Sequence, residues 1–184
     1  MELIEAASAE FERVVRELPP DSWSRQTLVE VSVRELVEHV VIGNWLAALW
    51  LDGVGRDQAR AEVDGDQLGD DPLAAVMESS ARQAEAFAAT EPDQIVPHPN
   101  GDISASEFLR YRLVDLVVHA WDLLRAVDLD DTLDASVVDR LWSSVEPHLP
   151  EMLAFGSYGD GPSGTLAAEQ AGQVRLLDAF GRRP

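Results

Sequence analysis

The chain has 184 residues, a formal charge of −20 from 34 acidic and 14 basic side chains, and no cysteine. That length suits one domain with its own core. The acidic field repels phosphate backbones and argues against a nucleic-acid partner, and the missing cysteines exclude disulfides, thiolate metal ligands and a cysteine nucleophile. No apolar run approaches the ~20 residues of a membrane helix. The start, Met1-Glu2-Leu3-Ile4-Glu5, lacks the basic and apolar blocks of a signal peptide, so a cytoplasmic protein without a membrane partner is expected.

Helical spacing of apolar residues runs through most of the chain. Leu3, Ile4, Ala7, Phe11, Val14, Val15 and Leu18 form the first stripe, which Pro19-Pro20 stops. Ser32 and Glu35 have the spacing of a capping box, and Val31 with Leu36 that of a hydrophobic staple, so a second helix starts there and runs to Trp50 or Leu51. Residues 52–71 are acidic and glycine-rich and read as a solvated connection. Asp71 as cap and Pro72 as first residue open a third helix, with Leu73, Val76, Met77, Ser80, Ala84 and Phe87 on its inner face. Residues 91–103 read as a linker, and Ser104 with Glu107 then repeats the capping-box spacing at the head of a fourth helix that reaches about Val127. A fifth helix is expected from Asp134 to Glu146, a loop from Phe155 to Gly164, and a last helix from Leu166 to Phe180. No repeat and no strand is apparent. The pattern predicts an all-α four-helix bundle, one domain over residues 1–184 with a core bundle to about 128 and a helical extension from about 129.

The fourth helix carries an unusual polar stripe. Phe108, Tyr111, Arg112, Asp115, His119, Asp122 and Ala126 share one side, and Leu109, Leu113, Leu116, Ala120, Leu124 and Val127 the other. Asp115 and His119 are an i,i+4 pair, neighbours on a helix surface with Cβ atoms about 5–6 Å apart. Carboxylates and a histidine on an apolar helix are costly to bury without a partner. A divalent ion is one partner, and His39 on the second helix offers a third ligand, with Gly43 one turn on leaving room beside its imidazole. Such oxygen and nitrogen donors suit Zn²⁺, Ni²⁺ or Fe²⁺, and three protein ligands leave an open position. Taken alone the pair is a weak signal, and an ordinary i,i+4 hydrogen bond to a half-buried histidine is its plainer reading. Asp122 reads as a fourth ligand, a partner that orients a ligand, or a surface carboxylate, the second being preferred. Tyr111 and Arg112 read as substrate contacts, or Arg112 as a simple counter-charge to Asp115. His98 reads as a solvated loop residue and His148 as a helix-end residue. The tryptophans read as core anchors, with Trp50 alone a candidate for the pocket.

The stretches VRELVEHVVIGNWLAAL and ISASEFLRYRLVDLVVHAWDLLRA, and the ending VRLLDAFGRRP, resemble the DinB-like/YfiT-like metal-binding superfamily. Within it they are most similar to the family named for the mycothiol-dependent maleylpyruvate isomerase N-terminal domain, in its stand-alone form. The resemblance implies a DinB-like bundle whose metal is held by a histidine on the second helix and by an acidic residue and a histidine four apart on the fourth. These match His39, Asp115 and His119. It implies a divalent cofactor, zinc first, and a low-molecular-weight thiol such as mycothiol as partner. This chain departs from the isomerase in having Asp115 where that protein has a glutamate. It has Leu28-Val29-Glu30-Val31-Ser32-Val33 in place of a Pro-Gly-Trp-like segment, and its length hardly admits the isomerase's second domain. The isomerase reaction itself is therefore not carried over.

Three functions stay open. The leading one is a metal-dependent enzyme that uses a small thiol in an isomerase or S-transferase reaction, with no evident general base. The others are a non-catalytic metal or small-ligand sensor and a metal-free interaction module. The sequence is compatible with a monomer or a homodimer.

Overall fold

The computed structural model describes residues 2–99, 101–154, 161–166 and 170–184. They divide into two compact units, Met1–Asp131 and Thr132–Pro184.

Four long helices build the first unit: α1 (Leu3–Glu17), α2 (Val33–Leu51), α4 (Pro72–Ala89) and α5 (Ala105–Ala126), with a short α3 (Arg56–Glu62) between the second and third of them. Each starts where its local chemistry satisfies the free N–H groups of a first turn. At α2 the full capping box forms: Ser32 Oγ accepts the Glu35 N–H, and Glu35 Oε2 accepts the Ser32 N–H at 2.7 Å. At α5 the serine half is in place, Ser104 Oγ accepting the Glu107 N–H at 3.2 Å. Asp71 caps α4 by accepting the Ala74 N–H at 3.1 Å. α1 and α2 each pack on both α4 and α5, so α1 and α2 occupy opposite corners of the bundle. The core between them holds Phe11, Val14, Leu36, Val40, Val76, Leu113, Leu116 and Trp121. Among the described residues no helix is long and apolar enough to cross a membrane.

Three local expectations are corrected. Within the acidic connection, residues 56–62 form α3, which buries Ala59 while Val63 and Leu68 beyond it are also buried. Three buried apolar residues accompany these roughly two turns of helix, which the surrounding charge concealed. Met77 does not face inward; it is 45% exposed, and the buried face of α4 carries Ser79, Ser80 and Gln83 with Val76 and Ala86. A two-residue hairpin, β1 (Ile95–Val96) paired antiparallel with β2 (Ile103–Ser104), lies where only a linker was expected; it is too short to display alternation.

The second unit contains α6 (Ala135–Val145), a 3₁₀ turn (Glu146–His148), α7 (Leu149–Leu153) and α8 (Gly172–Ala179). Asp134 caps α6 by accepting the Val137 N–H at 3.0 Å, and Val137, Val138, Leu141 and Val145 are buried. α8 packs on α6 through a segment that buries Leu176 and Leu177, with Phe180 behind them. It is shorter than expected. Leu166 is non-helical and 37% exposed, so it contributes little burial to extend the helix, and residues 167–169 of the expected span lie outside the described residues. The expected loop over 155–164 is described only from Gly161 onward.

Candidate metal centre

Helix α5 is apolar enough on its broad side to be buried along most of its length, and this forces its polar stripe toward α2. There the structure brings His39, Asp115 and His119 together, with one ligand atom from each within 4.8 Å of the others. His39 Nε2 lies 3.4 Å and His119 Nε2 3.1 Å from the same oxygen, Asp115 Oδ1. The two imidazoles meet edge to face, with centroids 5.3 Å apart. His39 is the open side of the group, its side chain 58% exposed, against 22% for Asp115 and 14% for His119.

Behind His119, Asp122 is completely buried and its Oδ2 lies 2.9 Å from His119 Nδ1. One imidazole is thus held between two carboxylates. Burial alone would lower its proton affinity, but the charge of Asp115 and the hydrogen bonds to Asp115 and Asp122 outweigh burial and raise the His119 pKa to about 9. Burial would likewise raise the Asp115 pKa; Arg112 and His119 override it and hold the carboxyl well below the usual carboxylate range. Without a cation the group is therefore imidazolium and carboxylates. A bound cation would take the place of the proton on Nε2, while Asp122 would fix Nδ1–H as the donor behind it.

The donor set fits a small divalent ion. Zinc–nitrogen and zinc–oxygen bonds of 2.0–2.2 Å at tetrahedral angles separate neighbouring ligand atoms by about 3.4 Å. The two nitrogen–oxygen separations here, 3.1 and 3.4 Å, lie just below and at that value, and all three ligand atoms lie within 4.8 Å of one another.

Arg112 reaches the other oxygen of Asp115: Nη1 donates to Oδ2 at 2.5 Å. Its other two nitrogens are also engaged. Nη2 donates to Asn44 Oδ1 at 2.7 Å and to the Val40 carbonyl at 3.3 Å, and Nε donates to Gln83 Oε1 at 3.3 Å. Asn44 in turn donates to Ser79 Oγ at 3.1 Å. The space beside Gly43, expected to admit a ligand, is instead filled by this guanidinium; a Cβ there would stand 2.3 Å from Arg112 Nη1. Of the two roles considered for Arg112, the geometry shows the counter-charge.

Tyr111 is buried, and His98 stacks on its ring with centroids 5.1 Å apart and meets Phe108 at 5.7 Å. The expectation of a solvated His98 is thus corrected. Burial first, then the charges of Arg56 and Arg112, lower its pKa to about 4, so the ring is neutral at neutral pH. Trp50 is 3% exposed and packs at 5.7 Å against Phe108, which makes it a core anchor of this end of the bundle. His148 lies at a helix end as expected, its side chain 45% exposed and 3.8 Å from Glu151. Asn44 and Gln83 are the participants that residue-type reasoning passed over. The only sequence signal for Gln83 is its place on the helical spacing of an inward face, at Val76, Ser79 and Gln83.

Residues 4–124 match the family described as the mycothiol maleylpyruvate isomerase N-terminal domain, and the chain belongs to that family. Two uncharacterised proteins from two strains of Mycobacterium tuberculosis are each 30% identical over 114 residues, 61% of this chain and 58% of theirs. The match thus spans little more than half the length of those relatives. A crystal structure of a histidine-to-alanine variant of mycothiol-dependent maleylpyruvate isomerase matches with a TM-score of 0.60, covering 90% of this chain and 70% of that one at 17% identity. That likeness is one of fold, the all-α DinB-like bundle.

Proposed function

Proceeding from membership of that family, we propose that this chain binds one divalent cation, zinc before nickel or iron, through His39, Asp115 and His119, and uses a small thiol, mycothiol in the family's usage, as co-substrate of an isomerase or S-transferase reaction. The observation that carries the reading is the convergence of three ligand atoms within 4.8 Å, with a buried carboxylate behind one of them. A cation held there supplies a Lewis-acid position at which a thiol ionises at neutral pH. The chain's own residues do the rest. His39 and His119 present Nε2, Asp115 presents Oδ1, and Asp122 retains the proton on His119 Nδ1. The chain has no cysteine, so the thiol comes from a small molecule. Arg112 is occupied on all three nitrogens and is not the anchor of an anionic substrate. With a net charge of −20, an uncharged electrophile is the favoured second substrate.

One observation favours a metal-free module instead. Arg112 and protonated His119 already balance Asp115 and Asp122, so the cluster is neutral without a cation. Elemental analysis of protein purified without added metal separates the two. About one equivalent of a transition metal, lost in His39→Ala and His119→Ala variants, supports the metal site; less than a tenth of an equivalent in wild type, with no uptake on titration, removes it. Titration of the cobalt-loaded protein with a low-molecular-weight thiol then tests the co-substrate. A sulfur–metal charge-transfer band is expected, and its absence at millimolar thiol favours a sensor without thiol chemistry.

A further inference from the structure

The space beside Gly43 has a use. Asp115 faces two ways: Oδ1 lies between the two Nε2 atoms, while Oδ2 takes a 2.5 Å hydrogen bond from Arg112 Nη1. Arg112 is 6% exposed and comes from one turn earlier on the same helix. It is clamped to α2 by Asn44 and the Val40 carbonyl and to α4 by Gln83. A guanidinium keeps its charge at any working pH and holds its donors in a rigid fork. It passes α2 only where that helix lacks a side chain, since a Cβ on Gly43 would lie 2.3 Å from Nη1 and 2.8 Å from Cζ.

We propose that Gly43 and Arg112 form a positioning device that restricts Asp115 to one-oxygen ligation and draws off part of its charge, so that a cation bound by His39, Asp115 and His119 keeps an enhanced affinity for a small anion. The inference rests on the metal site proposed above and concerns how that site is tuned. With Oδ2 engaged, chelation by both carboxylate oxygens would require the buried ion pair to break. Such a break leaves a buried charge unpaired. With the carboxylate shared, less of its negative charge reaches the cation, and an exogenous anion such as a thiolate meets a more positive centre. A serine, alanine or larger residue at position 43 would displace the guanidinium and release Oδ2.

The test uses zinc, cobalt and azide. In a crystal structure of the zinc-loaded protein, Asp115 is expected to contribute Oδ1 alone, with Oδ2 still on Arg112. Azide is then titrated into the cobalt-loaded protein and followed by the cobalt absorption bands. Arg112→Gln and Gly43→Ala are each expected to weaken azide binding about 10–100-fold, the usual reach of residues that support a metal ligand. Arg112→Lys, which keeps the charge without the fork, is expected to fall between them and wild type. Two-oxygen ligation by Asp115 in the wild-type crystal overturns the proposal even where the variants do not fold. So does unchanged azide affinity in a folded Arg112→Gln or Gly43→Ala protein. A wild-type protein that takes up no zinc overturns the metal site and this device together, whereas zinc uptake with two-oxygen ligation overturns the device alone.

Discussion

Replacing Asp122 with alanine isolates the carboxylate behind the proposed ligand from the ligands themselves. Asp122 is fully buried, and its Oδ2 is 2.9 Å from His119 Nδ1. The substitution removes the acceptor for a buried ring nitrogen, a loss of about 1–3 kcal/mol. It also frees the imidazole to change tautomer and to rotate about its side-chain bonds. Partners of this kind typically contribute 10–100-fold to metal affinity, which is about 1.4–2.8 kcal/mol. The second figure predicts that calorimetric zinc titration of Asp122→Ala gives a dissociation constant raised by one to two orders of magnitude at unchanged stoichiometry, whereas the lost hydrogen bond falls on the metal-free and metal-loaded forms alike and is read as stability. Metal-free melting should drop by several degrees, at roughly 2–4 °C per kcal/mol for a chain of this size. Asp122→Asn, whose amide oxygen still accepts from Nδ1–H, should recover most of the affinity. A folded Asp122→Ala protein with wild-type zinc affinity would refute the argument that this carboxylate orients His119.

Other expectations concern the scaffold and its titration. Ser32→Ala removes the capping box of the helix that carries His39 and should cost about 0.5–2 kcal/mol in urea unfolding, with zinc affinity unchanged once the protein is folded. His119 has its pKa raised to about 9 from 6.5, so its contribution to metal-free stability is complete below pH 6.5 and is lost as pH rises through 9. Urea midpoints of the metal-free protein should fall over that window, and zinc-loaded protein should not show the loss. A metal-free midpoint that stays level from pH 6 to 10 contradicts the ion-paired imidazole. On α4, Met77→Gln should change stability by no more than about 0.5 kcal/mol because the side chain is largely exposed, whereas Val76→Ala, fully buried, should cost more than 1 kcal/mol. Equal effects would mean that the inner face of α4 is assigned wrongly.

Local rules made several features legible before any tertiary contact was known. Ser32, Asp71, Ser104 and Asp134 mark helix starts because a cap is a bond between residues three apart. Asp115 and His119 share a face for the same reason, the 3.6-residue period being a property of the backbone alone. His39 entered through the resemblance and its place on an apolar helix; nothing in the residues themselves measures its distance to Asp115, 76 positions away.

Local spacing therefore accounts for the four long helices and α6, their starts, and the stripe of polar groups on α5, while α3 and the true start of α8 escaped it. Which groups meet was decided by packing. Met77 and Gln83 both sit near the expected inner stripe of α4, and hydrophobicity favours the methionine; yet Gln83 is buried because Arg112, arriving from α5, needs an acceptor there. Gly43 reads as an opening for a ligand until a guanidinium from another helix is found in it. His98 reads as solvated until the hairpin places its ring on Tyr111. In each case the outcome depends on the approach of a second helix or loop to within a few ångströms. A buried charge selects its partners by that three-dimensional proximity, which the spacing of residues along one helix does not encode.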